Sequence, residues 1–188
     1  MRPLPSLSAV VMGTAAALVI FHPAVVALSR EAIAQIARSV TVQVAGTEPG
    51  SGAIVKRQGD TYTVLSAAHV VDTKRNYEVI TADGQKHAVD TKTIKKFPEG
   101  VDLAILRFNS TQNYKVVELG DSTTVGAGTP FYVSGFSTVP GTNTSQNQLN
   151  EGQIEARATH TLTSGYALAY FNSNFAGMSG GPVLDGQG

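Results

Sequence analysis

Apolar positions follow a helical period near the start of the chain and a strand period after it. Ile33 and Ala37 recur at the spacing of one helix face, and Ser29 is a residue type that caps helix starts. This pattern predicts one short helix within residues 28–38. From Val40 to Val44, apolar and polar residues alternate, as they do in a strand with one buried face.

Alternating segments continue to the end of the chain in two groups. Short breaks rich in Gly, Asp, Asn and Pro separate them, which is typical of turns in antiparallel sheets. The first group has predicted strands at residues 40–44, 50–56, 60–65, 77–80, 87–89 and 101–108. The second has predicted strands at residues 130–136, 152–163, 165–171 and 182–184.

The grouping predicts two β units. The first spans residues 39–118, and residues 119–128, rich in glycine and small polar residues, link it to a second unit at 129–188. Residues 137–150 contain Pro, Gly and many Asn, Thr and Gln, so we expect a long, mobile surface loop there.

Composition excludes several classes of protein. The chain of 188 residues has 14 basic and 14 acidic residues, so its zero net charge gives no electrostatic reason to expect a nucleic-acid partner. The absence of cysteine excludes disulfides, thiol nucleophiles and cysteine-bound zinc. The four histidines include no close pair, so no set of zinc ligands is evident. The sequence therefore predicts no metal and no cofactor, and it leaves the oligomeric state open.

The N-terminus has the pattern of an export signal. After a basic start, residues 9–21 are continuously apolar, and small residues precede a plausible cleavage point after Ala27. An uncleaved anchor ending at Leu28 is the alternative, but Pro23 would break its helix. We therefore expect residues 1–27 to be a signal peptide, the mature protein to be secreted or periplasmic, and no stable membrane association.

The most informative stretch is Gly177-Met-Ser-Gly-Gly-Pro182, where glycines precede and follow a serine. Glycines allow a tight turn, leave the Ser179 hydroxyl uncrowded and let two N–H groups point at one place. A nucleophile with an oxyanion hole needs this arrangement. An ordinary glycine-rich turn with a solvent-facing serine fits the same residues, so the stretch alone leaves both interpretations open.

Two other segments carry residues that could serve such a nucleophile. His69 follows a predicted apolar strand and lies among small residues ahead of a polar loop. Asp102 opens a nearly all-apolar strand, where a buried carboxylate needs a partner such as a histidine N–H. Taken singly, a half-buried histidine and an exposed aspartate at a strand start would explain them equally well.

In chain order, Ser-Ala-Ala-His69, Asp102-Leu-Ala-Ile-Leu and Gly177-Met-Ser-Gly-Gly-Pro resemble the trypsin/chymotrypsin-like serine peptidases, whose triad order is His, Asp, Ser. Gly50-Ser-Gly52, ahead of an apolar strand, is also similar to the signature of the family's first barrel, especially in the bacterial high-temperature-requirement proteases. The resemblance implies an all-β fold of two six-stranded antiparallel β-barrels of the chymotrypsin type. The second barrel is expected to be incomplete, and the short helix to precede the first.

The resemblance also implies roles for individual residues. Ser179 would be the nucleophile, His69 the general base and then acid, and Asp102 the group that orients the imidazole. The backbone N–H groups of Gly177 and Ser179 would form the oxyanion hole, and Ser173 would lie at the base of the substrate pocket. Asp72 and Asp121 are weaker candidates for the acidic member. The motif-free His87 and His160 are expected at the surface.

Three features depart from well-known members of the family. Met178 stands where many members have an aspartate that pairs with a newly freed amino terminus, so we expect no zymogen cleavage of that type. Residues 170–176 contain no acid, which disfavours cleavage after Lys or Arg because a buried cation would lack a counter-ion. The family's later strands, which wall the substrate pocket, have no counterpart up to Gly188.

The leading interpretation is a secreted serine endopeptidase that cleaves polypeptide substrates through an acyl-enzyme. The alternative is a non-catalytic or incomplete peptidase-fold protein that acts as a binding module. A third hypothesis is a serine hydrolase of esters, because the same triad accepts them.

Overall fold

A computed structural model describes residues 27–71, 75–139, 141–142, 144–158 and 165–188. Within these ranges, helix α1 (Arg30–Val40) precedes a series of strands. The strands are β1 (Thr41–Ala45), β2 (Gly50–Gln58), β3 (Thr61–Ser66), β4 (Glu78–Ile80), β5 (Lys86–Ala88), β6 (Lys95–Lys96), β7 (Ala104–Asn109), β8 (Pro130–Thr138), β9 (Ser145–Arg157), β10 (Leu168–Phe171) and β11 (Val183–Leu184). Two short 3-10 turns lie at Thr91–Thr93 and Ser122–Thr124.

Helix α1 forms where the apolar spacing predicts it. The Ser29 hydroxyl accepts a hydrogen bond from the first turn at 3.2 Å, and Ile33 and Ala37 are buried against Leu184. The helix extends beyond the predicted end at 38 because Val40 continues the same buried face. No helix in the described ranges combines the length and apolar character needed to cross a membrane.

The first sheet holds the larger apolar core. Its strand order is β5-β4-β1-β2-β3-β7-β6, and all neighbours are antiparallel. The sheet curls until the Asp90 N–H, just past β5, donates to the Arg107 carbonyl of β7 at 3.2 Å. Six strands were expected and seven are present, because the two exposed lysines of β6 carry no apolar alternation that could reveal a strand.

The second sheet is smaller, with strand order β10-β9-β8-β11. The prediction of a mobile loop at residues 137–150 is wrong. Strands β8 and β9 pair without interruption from Pro130↔Gln153 to Thr138↔Ser145, so most of the segment is a long hairpin. Its Asn, Gln and Ser side chains are largely half-exposed, which removes the apolar alternation but leaves the backbone ladder intact. The second half of the predicted strand 152–163 lies outside the described residues.

The all-β architecture, with one preceding helix, therefore agrees with the expected fold class. The sheets meet where β1 and β2 cross β8. There the Thr41 hydroxyl donates to the Ser134 hydroxyl at 2.8 Å, and both side chains are fully buried. This junction lies next to the candidate site.

Candidate active site

Pairing of β3 with β7 brings His69 and Asp102 together. Ser66, the last residue of β3, pairs with Ala104, the first residue of β7, in the antiparallel ladder. His69 lies three residues beyond one and Asp102 two residues ahead of the other, so both emerge at the same edge of the sheet. The His69 ring Nδ1 lies 2.7 Å from Asp102 Oδ2, and the His69 backbone N–H donates to Asp102 Oδ1 at 2.9 Å.

These bonds fix the tautomer of the histidine. With Nδ1–H facing the carboxylate, Nε2 is left free to accept a proton. The side chain of His69 is 54% exposed, whereas that of Asp102 is 15% exposed. The pair is therefore open to a substrate on the imidazole side and covered on the carboxylate side.

Two opposing effects act on the pKa of Asp102. Partial burial raises the pKa, but hydrogen bonds from the His69 ring, the Tyr166 hydroxyl and the His69 amide lower it by more. The net pKa of Asp102 lies below its ordinary value. The carboxylate is thus ionised at neutral pH, as a group that stabilises a protonated imidazole must be.

The glycine-rich turn at Gly177–Pro182 connects β10 to β11 and exposes Ser179. Its carbonyls are engaged: Gly177 O accepts from the Ser51 hydroxyl at 2.7 Å, Met178 O from Gly181 N–H at 3.0 Å, and Ser179 O from Ser51 N–H at 2.8 Å. In the described part of the chain, the N–H groups of Gly177 and Ser179 have no acceptor. The N–H groups of Gly177 and Ser179 are thus available to a developing anion, while neighbouring carbonyls of the turn are bonded elsewhere.

Ser51 of β2 joins this turn to both sheets. Its side chain is fully buried, and its hydroxyl accepts from the Phe136 N–H of β8 at 2.7 Å while donating to Gly177. The Phe136 N–H occupies an acceptor site of the Ser51 oxygen, and the single hydroxyl proton is donated to the Gly177 carbonyl of the turn. Nothing in the motif Gly50-Ser-Gly52 indicates this contact from the sequence.

The turn packs against the strand end that leads to His69. Gly180 has φ +85°, and a Cβ there would lie 2.5 Å from Ser66 Oγ and 2.6 Å from Ala67 N, so only glycine fits. The three predicted triad residues thus belong to neighbouring segments. In the residues that the structure describes, no hydrogen bond joins the Ser179 hydroxyl to His69.

Met178 is buried beneath the turn. It is 4% exposed and packs with Phe131, Val133 and Ile154 of the second sheet. Its Sδ lies 3.6 Å from Asn150 Nδ2. Apolar packing therefore anchors the turn at the position where the family's zymogen-activated members use an ion pair.

The predicted pocket residue Ser173 is exposed and lines an open depression. Its carbonyl accepts a hydrogen bond from Asn150 Nδ2. Glu151 and Glu155 of β9 also line the depression, and Glu151 lies 3.7 Å from Arg30. Two acidic side chains of β9 therefore line the same depression as Ser173, which the sequence did not reveal.

The weaker candidates have other partners. Asp121 caps its own 3-10 turn by accepting from Thr123 N–H at 2.8 Å, while Asp72 and His160 lie outside the described residues. His87 is half-buried, stacks on Phe108 and contacts the hydroxyl of Tyr114 at 3.0 Å. The prediction that His87 lies at the surface is wrong, because the closing of the first sheet covers it with aromatic rings.

Tyr166 also belongs to the site, although it was not among the predicted site residues. Its hydroxyl donates to Asp102 Oδ2 at 2.8 Å from the segment just ahead of β10. A lone tyrosine after a glycine has no motif that could have indicated this contact.

Comparison with known proteins agrees with this geometry. The profile of the trypsin-like peptidase domain matches residues 50–188, which is most of the chain. The chain belongs to the trypsin-like peptidase family. The resemblance carried by the three motifs is thereby confirmed, and so is the assignment to the serine-type peptidases.

Two HtrA-like serine proteases and one solved structure are similar to the chain. The chain is 36% identical over 89 residues to "Serine protease HtrA-like" of Staphylococcus aureus strain USA300, and equally to that of strain NCTC 8325 / PS 47. The match covers 47% of the chain but 11% of each relative, so the chain spans about a tenth of their length. The crystal structure of Deg5 is similar in fold, with TM-score 0.65, 18% identity, and coverage of 85% of this chain and 82% of that one.

Proposed function

We propose that this trypsin-like domain is a serine endopeptidase that cleaves polypeptides through His69, Asp102 and Ser179. The observation that carries the proposal is the pair of hydrogen bonds between Asp102 and His69, next to a serine turn in which the Gly177 and Ser179 N–H groups have no acceptor among the described residues. An ionised carboxylate, an oriented imidazole and an exposed hydroxyl are the groups that acyl transfer requires.

In the proposed reaction, the Ser179 oxygen attacks the scissile carbonyl carbon and its proton passes to His69 Nε2. Asp102 stabilises the resulting imidazolium through the Nδ1–H bond. The tetrahedral oxyanion accepts hydrogen bonds from the N–H groups of Gly177 and Ser179. Collapse releases the amine, which takes the proton from His69, and leaves the acyl group on Ser179. Water activated by the same imidazole then hydrolyses the ester and regenerates the hydroxyl.

A binding module of the same fold is the second candidate. It is favoured by one observation, the absence of a hydrogen bond between Ser179 and His69 among the described residues. In substrate-free peptidases this bond is often long, so its absence also fits an enzyme awaiting substrate.

Covalent labelling separates the two candidates. A fluorophosphonate probe should label Ser179, and casein should be cleaved by the same preparation. Labelling with ester hydrolysis but no proteolysis would favour a non-peptidase hydrolase. No labelling of the folded chain would contradict the proposed enzyme and support the binding module.

We expect cleavage after small or apolar residues. Residues 170–176 provide no acid to neutralise a buried lysine or arginine, and Glu151 is already near Arg30. A peptide library with all residue types ahead of the cleaved bond measures the preference directly. A strong preference for Lys or Arg would contradict the prediction. In that case, loss of the preference in the double variant Glu151→Gln, Glu155→Gln would identify the glutamates as counter-ions.

The protein is proposed to be exported, with residues 1–27 removed. The mature N-terminus should then lie near Leu28 or Arg30, and a chain starting at Leu28 keeps the 2.8 Å bond from its nitrogen to the Gly186 carbonyl. N-terminal sequencing of secreted material checks this. Because cleavage needs a small residue before the cut, Ala27→Arg should block it. A wild-type form held in the membrane with Met1 intact would instead favour the anchor.

A further inference from the structure

The segment just ahead of β10, in the second sheet, contacts the Asp102 carboxylate at the edge of the first sheet. Tyr166, ahead of β10, donates its O–H to Asp102 Oδ2 at 2.8 Å, although the two residues are 64 positions apart. The neighbouring Gly165 has φ +85°, and a Cβ on it would lie 2.9 Å from Val101 Cγ1. The two consecutive contacts, Gly165 on Val101 and Tyr166 on Asp102, hold this segment against the start of β7.

The segment is also held to its own sheet. The carbonyl of Ala167 accepts the Ala158 N–H at 2.9 Å, which continues the β9–β10 ladder to Ala167, the residue after Tyr166. The hydroxyl is thus presented by a backbone that is hydrogen-bonded on one side and packed against Val101 on the other. Tyr166 is 54% exposed, so this backbone support, rather than burial of the ring, holds its hydroxyl at the carboxylate.

Asp102 Oδ2 therefore has two donors. The His69 ring approaches it at 2.7 Å and the Tyr166 hydroxyl at 2.8 Å, while Oδ1 accepts from the His69 backbone. Without Tyr166, both remaining hydrogen bonds would come from a single residue. The Tyr166 hydroxyl adds a third hydrogen bond to the Asp102 carboxylate, and this one comes from the second sheet. It also draws negative charge on Oδ2 away from the imidazole.

We propose that Tyr166 is a positioning residue that acts on His69 through Asp102. The inference rests on the proposed function of His69 and Asp102. Tyr166 holds the plane of the carboxylate and limits how strongly Oδ2 stabilises a protonated imidazole. Removing the Tyr166 hydroxyl would leave more of the Oδ2 charge on the imidazole side, which favours the protonated ring.

The titratable groups that act on this site are few. In the described residues, Asp102 interacts with His69 and Tyr166, and Tyr166 interacts in addition with Tyr170. The hydrogen bond to Asp102 is the largest cause of a raised pKa of Tyr166, so the phenol stays protonated and donating across the working range of a peptidase.

The test is Tyr166→Phe, which keeps the ring and removes the hydroxyl. We expect kcat to fall about tenfold with KM nearly unchanged, the size of effect that follows from losing one hydrogen bond to a charged group. We also expect the acid limb of the kcat/KM profile to move to higher pH, because the unshared carboxylate charge favours the protonated imidazole. A merely structural tyrosine would lower stability without moving the acid limb.

Tyr114→Phe is the matched control. Its hydroxyl also donates to an aspartate, Asp83 Oδ2 at 3.1 Å, and also lies near a histidine, His87, but within the first sheet. The control should lose a comparable hydrogen bond and leave the pH profile of activity in place. If Tyr166→Phe and Tyr114→Phe give the same profile as the wild type, the inference is overturned.

NMR titration of the His69 ring separates this inference from the proposed function. The midpoint of His69 protonation should rise in Tyr166→Phe relative to wild type, whether or not peptides are cleaved. A rise in a chain without hydrolytic activity would support the tyrosine contact while the proposed enzyme fails. An unchanged midpoint in an active enzyme would overturn the role of Tyr166 alone.

Discussion

Replacing Ser179 with alanine should lower kcat for peptide hydrolysis by about 10⁶-fold, the loss seen when the nucleophile of a serine-peptidase triad is removed. The Ser179 side chain is exposed, and its hydroxyl has no hydrogen bond in the described part of the chain, so the folded state should be unaffected. Initial rates on a peptide substrate and thermal unfolding of the same preparation check both statements.

Ser122→Ala is a suitable control for that experiment. Ser122 is also exposed but lies in the 3-10 turn between the sheets, so its substitution should leave both hydrolysis and fluorophosphonate labelling unchanged. Ser179→Ala should lose the label completely. Residual labelling of Ser179→Ala at the wild-type rate would identify a different nucleophile and contradict the assignment.

Replacing Asp102 with asparagine should reduce kcat by about 10⁴-fold. The two oxygens of Asp102 accept the His69 N–H and the Nδ1–H, whereas an amide offers one acceptor and one donor. An asparagine amide facing the ring would favour the tautomer with Nδ1 unprotonated, which leaves a proton on Nε2 and removes the base. Rates measured across pH, together with labelling of Ser179, test this expectation.

Asp121→Asn distinguishes Asp102 from its weaker alternative. Asp121 accepts from the Thr123 N–H and hydroxyl within its own turn, and asparagine caps such turns well. Activity should therefore be retained. A large loss in Asp121→Asn with little loss in Asp102→Asn would overturn the choice of acidic residue.

Local patterns predicted those parts of the fold whose residues alternate or repeat. Helix α1 and strands β2, β3 and β7 occur close to where the apolar spacing indicates them. The first part of strand β9, residues 145–151, was not predicted because its Gln and Asn side chains are largely half-exposed and show no apolar alternation, although its backbone pairs with β8. Hydropathy cannot report a strand whose side chains contribute little burial.

The candidate site was likewise only partly predictable from the sequence. His69, Asp102 and the turn at Ser179 were indicated by local motifs, but the contacts that hold them join distant positions. Ser51 and Gly177 are 126 residues apart, and Tyr166 and Asp102 are 64 apart. Such pairs depend on how two sheets pack together, which one sequence read locally does not reveal.

The hydrogen bonds of Ser51 have a consequence for the order in which the protein is assembled. One hydroxyl on β2 contacts β8 and the serine turn at once, and its own N–H holds the Ser179 carbonyl. The turn therefore lacks two of its fixed carbonyls until the first sheet has formed and the second has docked against it. The proposed peptidase activity is then among the last properties that the chain acquires during folding. Partly folded copies, whose extended segments are exposed, would not be cut by one another at that stage.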